Sequence, residues 1–435
     1  MMPDQKILSP AFSVRASTAL WWNRLYQSRT GWALADQSVL SAGNFLCNLL
    51  LARVLPWGEY GVFAFVLIVF QLLNNFLGAL VGFQLAYRGA TAGEGELRRL
   101  FGGSFLLTLL LQPIGIVVLC LSLLSVRHAG TIPVAICALM AWQLQEIARR
   151  AMLAKLRFRA AILGDSVSYL GQVVVMWWLY RTGHLTLETT FLASTFTSCL
   201  ALIIQMLQVG ISRIQLSDVR DALKHGWRLG HWLLLATTVS VLVIPIIPWA
   251  LAYFHSSHEV ARYQALATVL GISHPVIFSI SNLIGPSTIT AYRTGGLIQA
   301  ERVSRRYSLQ GMALLVPYFL ILMVIPEVIL RLLYGSDSPY ANLGPELRLF
   351  VVFYVLLYFM QVLVARMNGL GNTSSSFVSQ GAAALATVAI TVPLCAYGGL
   401  YGASWGRLAQ GAAGVCAAMW MWKIVKRAKA REVLS

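Results

Sequence analysis

Charge is what this 435-residue chain lacks. Asp, Glu, Lys and Arg make up 11% of it, about half the share of a soluble domain. Acids are the scarcer sign, 16 against 33 bases. No polar segment is long enough for a soluble module, which argues against nucleic-acid binding despite a net charge of +17. The six cysteines, Cys47, Cys120, Cys137, Cys199, Cys395 and Cys416, all fall in apolar stretches and never in CxxC spacing. They read as packing residues, not as zinc ligands or a disulfide framework. A GxxxxGK[ST] loop is absent, so no built-in nucleotide hydrolysis is expected. With no HExxH, Ser/His/Asp or acidic motif between the apolar segments, neither an enzyme nor a metal site is expected. His255 and His258 share one loop but lack further ligands. The first 31 residues have no long apolar run before a small-residue cleavage site, so no cleaved signal peptide is expected.

Apolar length is what the chain has. Hydrophobic residues reach 58% and the mean hydropathy is +0.70. Twelve stretches are each long enough to cross a bilayer as a helix: 32–54, 58–84, 100–125, 131–150, 161–181, 186–209, 227–251, 262–291, 307–333, 345–366, 377–397 and 399–422. Of the 33 Lys and Arg, 26 fall in alternate gaps, counting both ends of the chain. The other gaps hold only Arg53, Arg127, Arg181, Arg262, Arg331 and Arg348, and Arg407 lies inside the last stretch. Basic loops stay on the cytoplasmic side. The expectation is an all-α, multi-pass membrane protein with both termini cytoplasmic. Residues 1–31 form a cytoplasmic segment, in which 12–29 is either an amphipathic surface helix or a flexible tail. A basic cytoplasmic tail is expected over 423–435.

The chain reads as two six-helix halves, 32–218 and 219–422, around a central cavity. Gly31-Trp32 corresponds to Gly226-Trp227, and Ala86-Tyr87-Arg88 to Ala291-Tyr292-Arg293. Arg98-Arg99 corresponds to Arg305-Arg306, and Gln145 with Arg150 to Gln361 with Arg366. Six helices per half is an even number, so both halves have the same orientation, a parallel repeat of the kind transporters use. Six of eight span-interrupting prolines lie in the seventh to ninth spans: Pro245, Pro248, Pro275, Pro286, Pro317 and Pro326. The second half should therefore be the more bent.

Polar residues at membrane depth are the candidates for function. Gln37, Ser41, Asn44 and Asn48 share one face of the first helix. Gln71, Asn74, Asn75 and Gly78 share one face of the second. Such faces turn away from lipid, and either line a cavity or hydrogen-bond to neighbouring helices. Asp36, Glu146 and Asp165 are candidate ion-coupling carboxylates. Arg88, Arg149, Arg150 and Arg293 end helices on the cytoplasmic side, where a guanidinium suits an anionic substrate. Glu327 and Arg331, four apart, are expected to pair. Arg407, inside the last span with no acid nearby in sequence, needs either an anionic substrate or a distant acid.

The runs Asp36-Gln37-Ser38-Val39-Leu40-Ser41-Ala42-Gly43-Asn44-Phe45 and Leu51-Ala52-Arg53-Val54-Leu55-Pro56-Trp57-Gly58-Glu59-Tyr60-Gly61-Val62-Phe63 resemble the start of bacterial polysaccharide flippases. These belong to the multidrug/oligosaccharidyl-lipid/polysaccharide exporter superfamily. Gln145 through Arg157, ending in Gly164-Asp165, is similar to that family's connection between helices four and five. The resemblance is best over 31–170. It implies alternating-access movement of an undecaprenyl diphosphate-linked oligosaccharide to the outer leaflet of the bacterial inner membrane. On this reading Arg88, Arg149, Arg150, Arg293 and Arg407 meet the diphosphate, and Ser41, Asn44, Asn48, Gln71 and Asn75 meet sugar hydroxyls. Membrane lipids and polysaccharide polymerase or glycosyltransferase partners are implied, with proton or sodium coupling and no cofactor. A drug or cation exporter of the same superfamily, a membrane polymerase or ligase, and a non-transporting scaffold are the rival readings.

The charge alternation makes a topological prediction. Cysteines replacing Arg181, Ser256 or Ser338 should react with an impermeant thiol reagent added outside intact cells. Cysteines replacing Arg157 or Arg220 should not. Outside labelling at position 157 would reverse the orientation.

Overall fold

The computed structural model describes residues 29–125, 128–210 and 215–434. The segment expected to be amphipathic over 12–29 lies outside them, Arg29 apart, as does Arg127. Among the described residues there are helices and no strands. Nine of the described helices are long and apolar enough to cross a membrane. Two of these turn corners, at Gly295–Gly296 and at Gly399, where the backbone leaves helical geometry. With Arg29–Val54 the total is twelve: α1 (Arg29–Val54), α2 (57–89), α3 (Glu94–Ser125), α4 (Ile132–Ala154), α5 (Phe158–Arg181), α6 (Leu187–Val209), α7 (Leu216–Phe254), α8 (257–294), α9 (297–324), α10 (Gly344–Gly369), α11 (374–398) and α12 (400–434).

Side chains are distributed as a bilayer requires. Leu110, Ile114, Val117, Leu121 and Leu124 follow helical spacing along α3, and all are more than half exposed. Polar side chains turn inward: Gln84, Ser104, Thr108, Gln112 and Gln143 are buried, and Gln84 Nε2 donates to Ser104 Oγ at 2.8 Å. In lipid a polar group can be satisfied only by another protein group.

Several boundaries differ from the sequence reading. Helix α3 begins at Glu94, not 100, and α7 begins at Leu216. The expected span 307–333 is two elements, because the backbone breaks at Ile325 and a short helix Pro326–Tyr334 follows. The basic segment 423–435 continues α12 as far as Leu434. Glu327 does not pair with Arg331. Its carboxylate lies 3.6 Å from Arg348, and Arg331 donates to Asn342. His255 hydrogen-bonds to the Cys395 carbonyl oxygen, and all six cysteines are free.

The second half is the more broken one. Helix α7 is interrupted at Ile244–Pro245, α8 at Ile272–Ser273 and the chain again at Ile325. One irregularity is shared by both halves. Their fifth helices, α5 and α11, each contain one π-helical stretch, Ser166–Leu170 and Thr387–Thr391. A third lies in α2 at Gly78–Gly82. Such turns widen a helix and are enriched where function needs an irregular backbone.

The halves meet along a seam near the basic face, the one bearing the α2–α3, α4–α5 and α8–α9 connections. Helix α7 packs on α2 and α3, and α1 packs on the α8–α9 unit. Ser279 Oγ donates to the Ala33 carbonyl, and Thr30 Oγ1 donates to Gln310 Oε1 at 2.8 Å. Arg88 joins Asp221 at 2.7 Å. A Cβ on Gly226 would lie 2.3 Å from the Leu80 carbonyl oxygen, and one on Gly230 would lie 2.2 Å from that of Ala79.

The nearest atoms to both glycines are backbone. Gly230→Val should therefore cost about 1–3 kcal/mol by overpacking, seen as a lower Tm of the purified protein in detergent. Gly61→Ala, in open space within the far end of α2, is the control for glycine loss away from the seam. An unchanged Tm in Gly230→Val would mean that the seam is looser than described.

Candidate functional site

Between the halves lies a cavity of about 1350 Å³. Helix α1 contributes Gln37, Ser41 and Asn44, and α2 contributes Gln71, Asn74 and Asn75. The second half adds Thr237, Ser281, Asn282, Gln361 and Asn368. Toward the basic face the cavity ends at Tyr87, Leu153 and Ala154, just short of the seam. On the other side it reaches Phe45, Leu333 and Tyr334. Gln71 Nε2 donates to Asn75 Oδ1 at 3.1 Å, which orients both amides.

Beside the cavity, α1, α4 and α5 converge on one guanidinium. Arg149 of α4 places Nη2 2.7 Å from Asp36 Oδ2 and Nε 2.7 Å from Asp165 Oδ2. Its Nη1 is 3.4 Å from Glu146 Oε2. Asp165 is fully buried and Asp36 nearly so. The second oxygen of Asp165 accepts from Gln145 at 3.3 Å and from Gln205 of α6 at 3.0 Å. Ser168 in turn donates to Gln145 Oε1. All four helices of this cluster are thus tied by charge-assisted bonds, which are strong where water is excluded. Two atoms of the cluster, Asp36 Oδ1 and Gln205 Oε1, are buried with no partner among the described residues.

Arg150 does something different. Its Nε donates to Glu146 Oε1 at 3.0 Å, and the guanidinium lines the cavity. It lies against Gly78 and Gly82 in the π-helical stretch of α2. A Cβ on Gly82 would be 2.6 Å from Arg150 Cδ, and one on Gly78 would be 3.1 Å from Nη2. The glycines clear a berth for the side chain. No described residue hydrogen-bonds to either Nη, so the fork faces the cavity.

The other sequence candidates scatter. Glu146 and Arg149 line the cavity together with Ser41, Asn44, Gln71 and Asn75. Asp36 and Asp165 sit behind it. Asn48 bonds back to the Asn44 carbonyl, one turn beyond the lining. Arg88 is spent on Asp221 at the seam, and Arg293 is exposed at the basic end of α8. Arg407 neither lines the cavity nor meets an acid. It donates to Tyr263 Oη and to Gln410 Oε1, and its guanidinium carbon lies 5.0 Å from the Phe353 ring centroid and 5.5 Å from that of Tyr263. Aromatic faces take the place of a carboxylate there.

Sequence reasoning missed Gln205, Trp142, Tyr169, His274 and Asn368. Trp142 Nε1 donates to Tyr169 Oη at 3.2 Å, and both rings line the cavity, as do His274 and Asn368. Gln205, one of two amides in the last turns of an otherwise apolar stretch, carried a usable signal, because such a group demands a partner. The aromatic pair carried none.

No family model and no curated protein matches this chain. Solved structures do. The fold is similar to an outward-facing multidrug resistance MATE family transporter of the MOP superfamily, with a TM-score of 0.79 at 16% identity over 93% of this chain and 98% of that one. It is similar to a MOP superfamily transporter from Pyrococcus furiosus, with a TM-score of 0.78 at 15% identity over 94% of this chain and 97% of that one. The binding pocket of that protein is described as of reverse polarity, suggesting a different function. A MATE transporter in the straight conformation gives 0.75 at 15% identity over 93% and 98%. At such identities it is the fold that is established, an all-helical MATE-like architecture of two halves.

The charge cluster predicts an asymmetric mutational response. Arg149→Ala strands two buried carboxylates, Asp36 and Asp165, while Glu146 keeps Arg150, and should cost about 3–5 kcal/mol, seen as loss of monodisperse protein or a collapsed Tm. Arg149→Ala combined with Asp36→Asn and Asp165→Asn should recover part of the loss. A triple variant no better than Arg149→Ala would mean that the carboxylates do not depend on this guanidinium.

Proposed function

We propose that this chain is an alternating-access transporter that moves a diphosphate-linked, lipid-anchored oligosaccharide from the inner to the outer leaflet of the bacterial cytoplasmic membrane. The observation that carries the reading is the free fork of Arg150. The cavity-facing carboxylate of Glu146 is engaged by Arg149 and Arg150, whereas the Nη groups of Arg150 are unclaimed. A planar guanidinium held at Nε presents two parallel donors, the geometry phosphate oxygens accept. The amides of α1, α2, α8 and α10 supply donors and acceptors for sugar hydroxyls. Phe45 on α1 and Ile272 and Phe278 on α8 line the cavity yet remain 47–65% exposed. They form an apolar rim between the halves along which a polyprenyl tail can stay in lipid.

The cargo on this reading is undecaprenyl diphosphate-linked. Its supply and removal fall to a glycosyltransferase and a polymerase. The cluster around Arg149 is the coupling element. Three carboxylates, Asp36, Glu146 and Asp165, face two arginines, and the unpartnered Asp36 Oδ1 offers a place for a proton or sodium ion. The same excess of carboxylate supports a second reading, export of a cationic drug, in which the cavity serves a cation and Arg150 a structural role.

The two readings part at Arg150. In vesicles containing the purified protein and a fluorescent diphosphate-linked glycolipid, Arg150→Gln and Arg150→Lys should both slow flipping about tenfold or more, the worth of a charge-assisted pair. Wild-type flipping by both variants would remove diphosphate recognition from this site. Efflux of a cationic dye with no glycolipid movement would establish the exporter reading in its place.

A further inference from the structure

A second, separate depression lies on the outside of the second half, about 790 Å³ in volume. It runs along one face of α9, past Ile298, Arg302, Arg305, Arg306, Leu309 and Ala313, and is closed on its other side by Arg366 from the last turn of α10. The α9 residues repeat every three or four positions and so form a single stripe. From Arg302 to Ala313 the stripe is about 16 Å long.

Arg366 is held for binding. Its Nε donates to the buried Ser304 Oγ, and its guanidinium carbon lies 4.9 Å above the Trp422 ring of α12. Both Nη groups are left without a partner among the described residues, on the groove side. Arg302, Arg305 and Arg306 likewise have no ion pair or hydrogen bond among the described residues. The lone acid of the groove, Glu301, is engaged by Lys426 at 2.9 Å. Four guanidinium groups thus surround one concavity whose single acid, Glu301, is already paired with Lys426.

After Ile298 the groove is basic over Arg302, Arg305 and Arg306 and then apolar along Leu309 and Ala313. The arginines lie at the basic end of α9. Leu309 is 59% exposed at the opposite end, and beyond it Leu314, Leu320 and Ile321 continue the exposed apolar surface of α9. A ligand filling the groove needs an anionic group near Arg302, Arg305, Arg306 and Arg366 and a hydrocarbon chain lying along Leu309 and Ala313. We propose that this groove binds an anionic phospholipid, its phosphate held by the four arginines and its acyl chain laid along α9. Basic recesses at helix ends hold such headgroups through charge, with about 1 kcal/mol per basic residue. Gln310 lines the same groove and also receives the Thr30 hydroxyl from α1. A bound headgroup would therefore sit beside a contact between the halves and brace the seam. The inference stands apart from the nature of the cargo, because the groove is distinct from the central cavity.

The test uses the full-length chain, delipidated in a neutral detergent and titrated with phosphatidylglycerol, phosphatidylcholine or inorganic phosphate. Native mass spectrometry counts bound lipid, and thermal melting reports bracing. Phosphatidylglycerol should bind and raise the Tm, phosphatidylcholine should bind at least about tenfold more weakly, and inorganic phosphate should do neither. The exposed-residue variant Arg302→Gln/Arg305→Gln/Arg306→Gln should keep its lipid-free Tm and bind phosphatidylglycerol about a hundredfold more weakly. Arg366→Lys, which retains charge but loses the fork, should also weaken binding. Unchanged phosphatidylglycerol binding in the triple variant, or equal binding of the two lipids, would overturn the proposal. So would inorganic phosphate displacing the lipid or matching its effect, since the site would then be one for free phosphate.

Discussion

One buried guanidinium organises the first half. Arg149 stays charged and is all but buried, so it must find carboxylates. It finds them on its own helix and on α1 and α5, while α6 reaches the same cluster through Gln205. Among hydrocarbon side chains, no packing preference fixes the rotation of one helix against another as firmly as an ion pair does. Turning α1 by a single residue would carry Asp36 away from Arg149. The polar stripe of α1 faces the cavity partly because Asp36, next to Gln37 but turned around the helix from it, is held from behind.

The second half solves the same problem with different chemistry. Its half-buried cation, Arg407, rests on Tyr263 and Phe353 and donates to a phenol and an amide. Its Nε is buried without a partner among the described residues. Arg150 and Arg366, at corresponding positions of the repeat, also diverge. The first points into the central cavity and the second lines a groove on the exterior. The two halves therefore share helix number and π-helical stretches in α5 and α11 but not a common set of buried charges. The fold is repeated, and the electrostatics are concentrated in one half.

Much of the architecture was legible because a bilayer constrains sequence so tightly. Length, apolarity and alternating charge give twelve helices and their order. The boundaries slipped where helices run past the bilayer, at Glu94 and in the hairpin turning at Gly295–Gly296. Hydropathy ends at the membrane surface, whereas helical hydrogen bonding continues beyond it. Asp36, Glu146, Asp165, Arg149 and Arg150 were all legible as candidates. Their meeting was not, since Asp36 and Arg149 are 113 residues apart and periodicity says nothing about such distances. Arg407 was legible as a costly charge, but its partner was sought among acids. The aromatic answer came from Tyr263, 144 residues away. Arg88 read as a cavity residue from its position at a helix end, but its proximity to Asp221 commits it to the seam.

At Gly226 and Gly230 the seam is made of one backbone pressed on another. A barrier built of side chains can be crossed when a single rotamer swings aside, a nanosecond event. No rotamer can open this one. It parts only when α7 and α2 separate as whole helices, a collective motion on the microsecond to millisecond scale. Small ions thus find no transient wire through the protein along this line, and a membrane housing many copies can still hold its voltage.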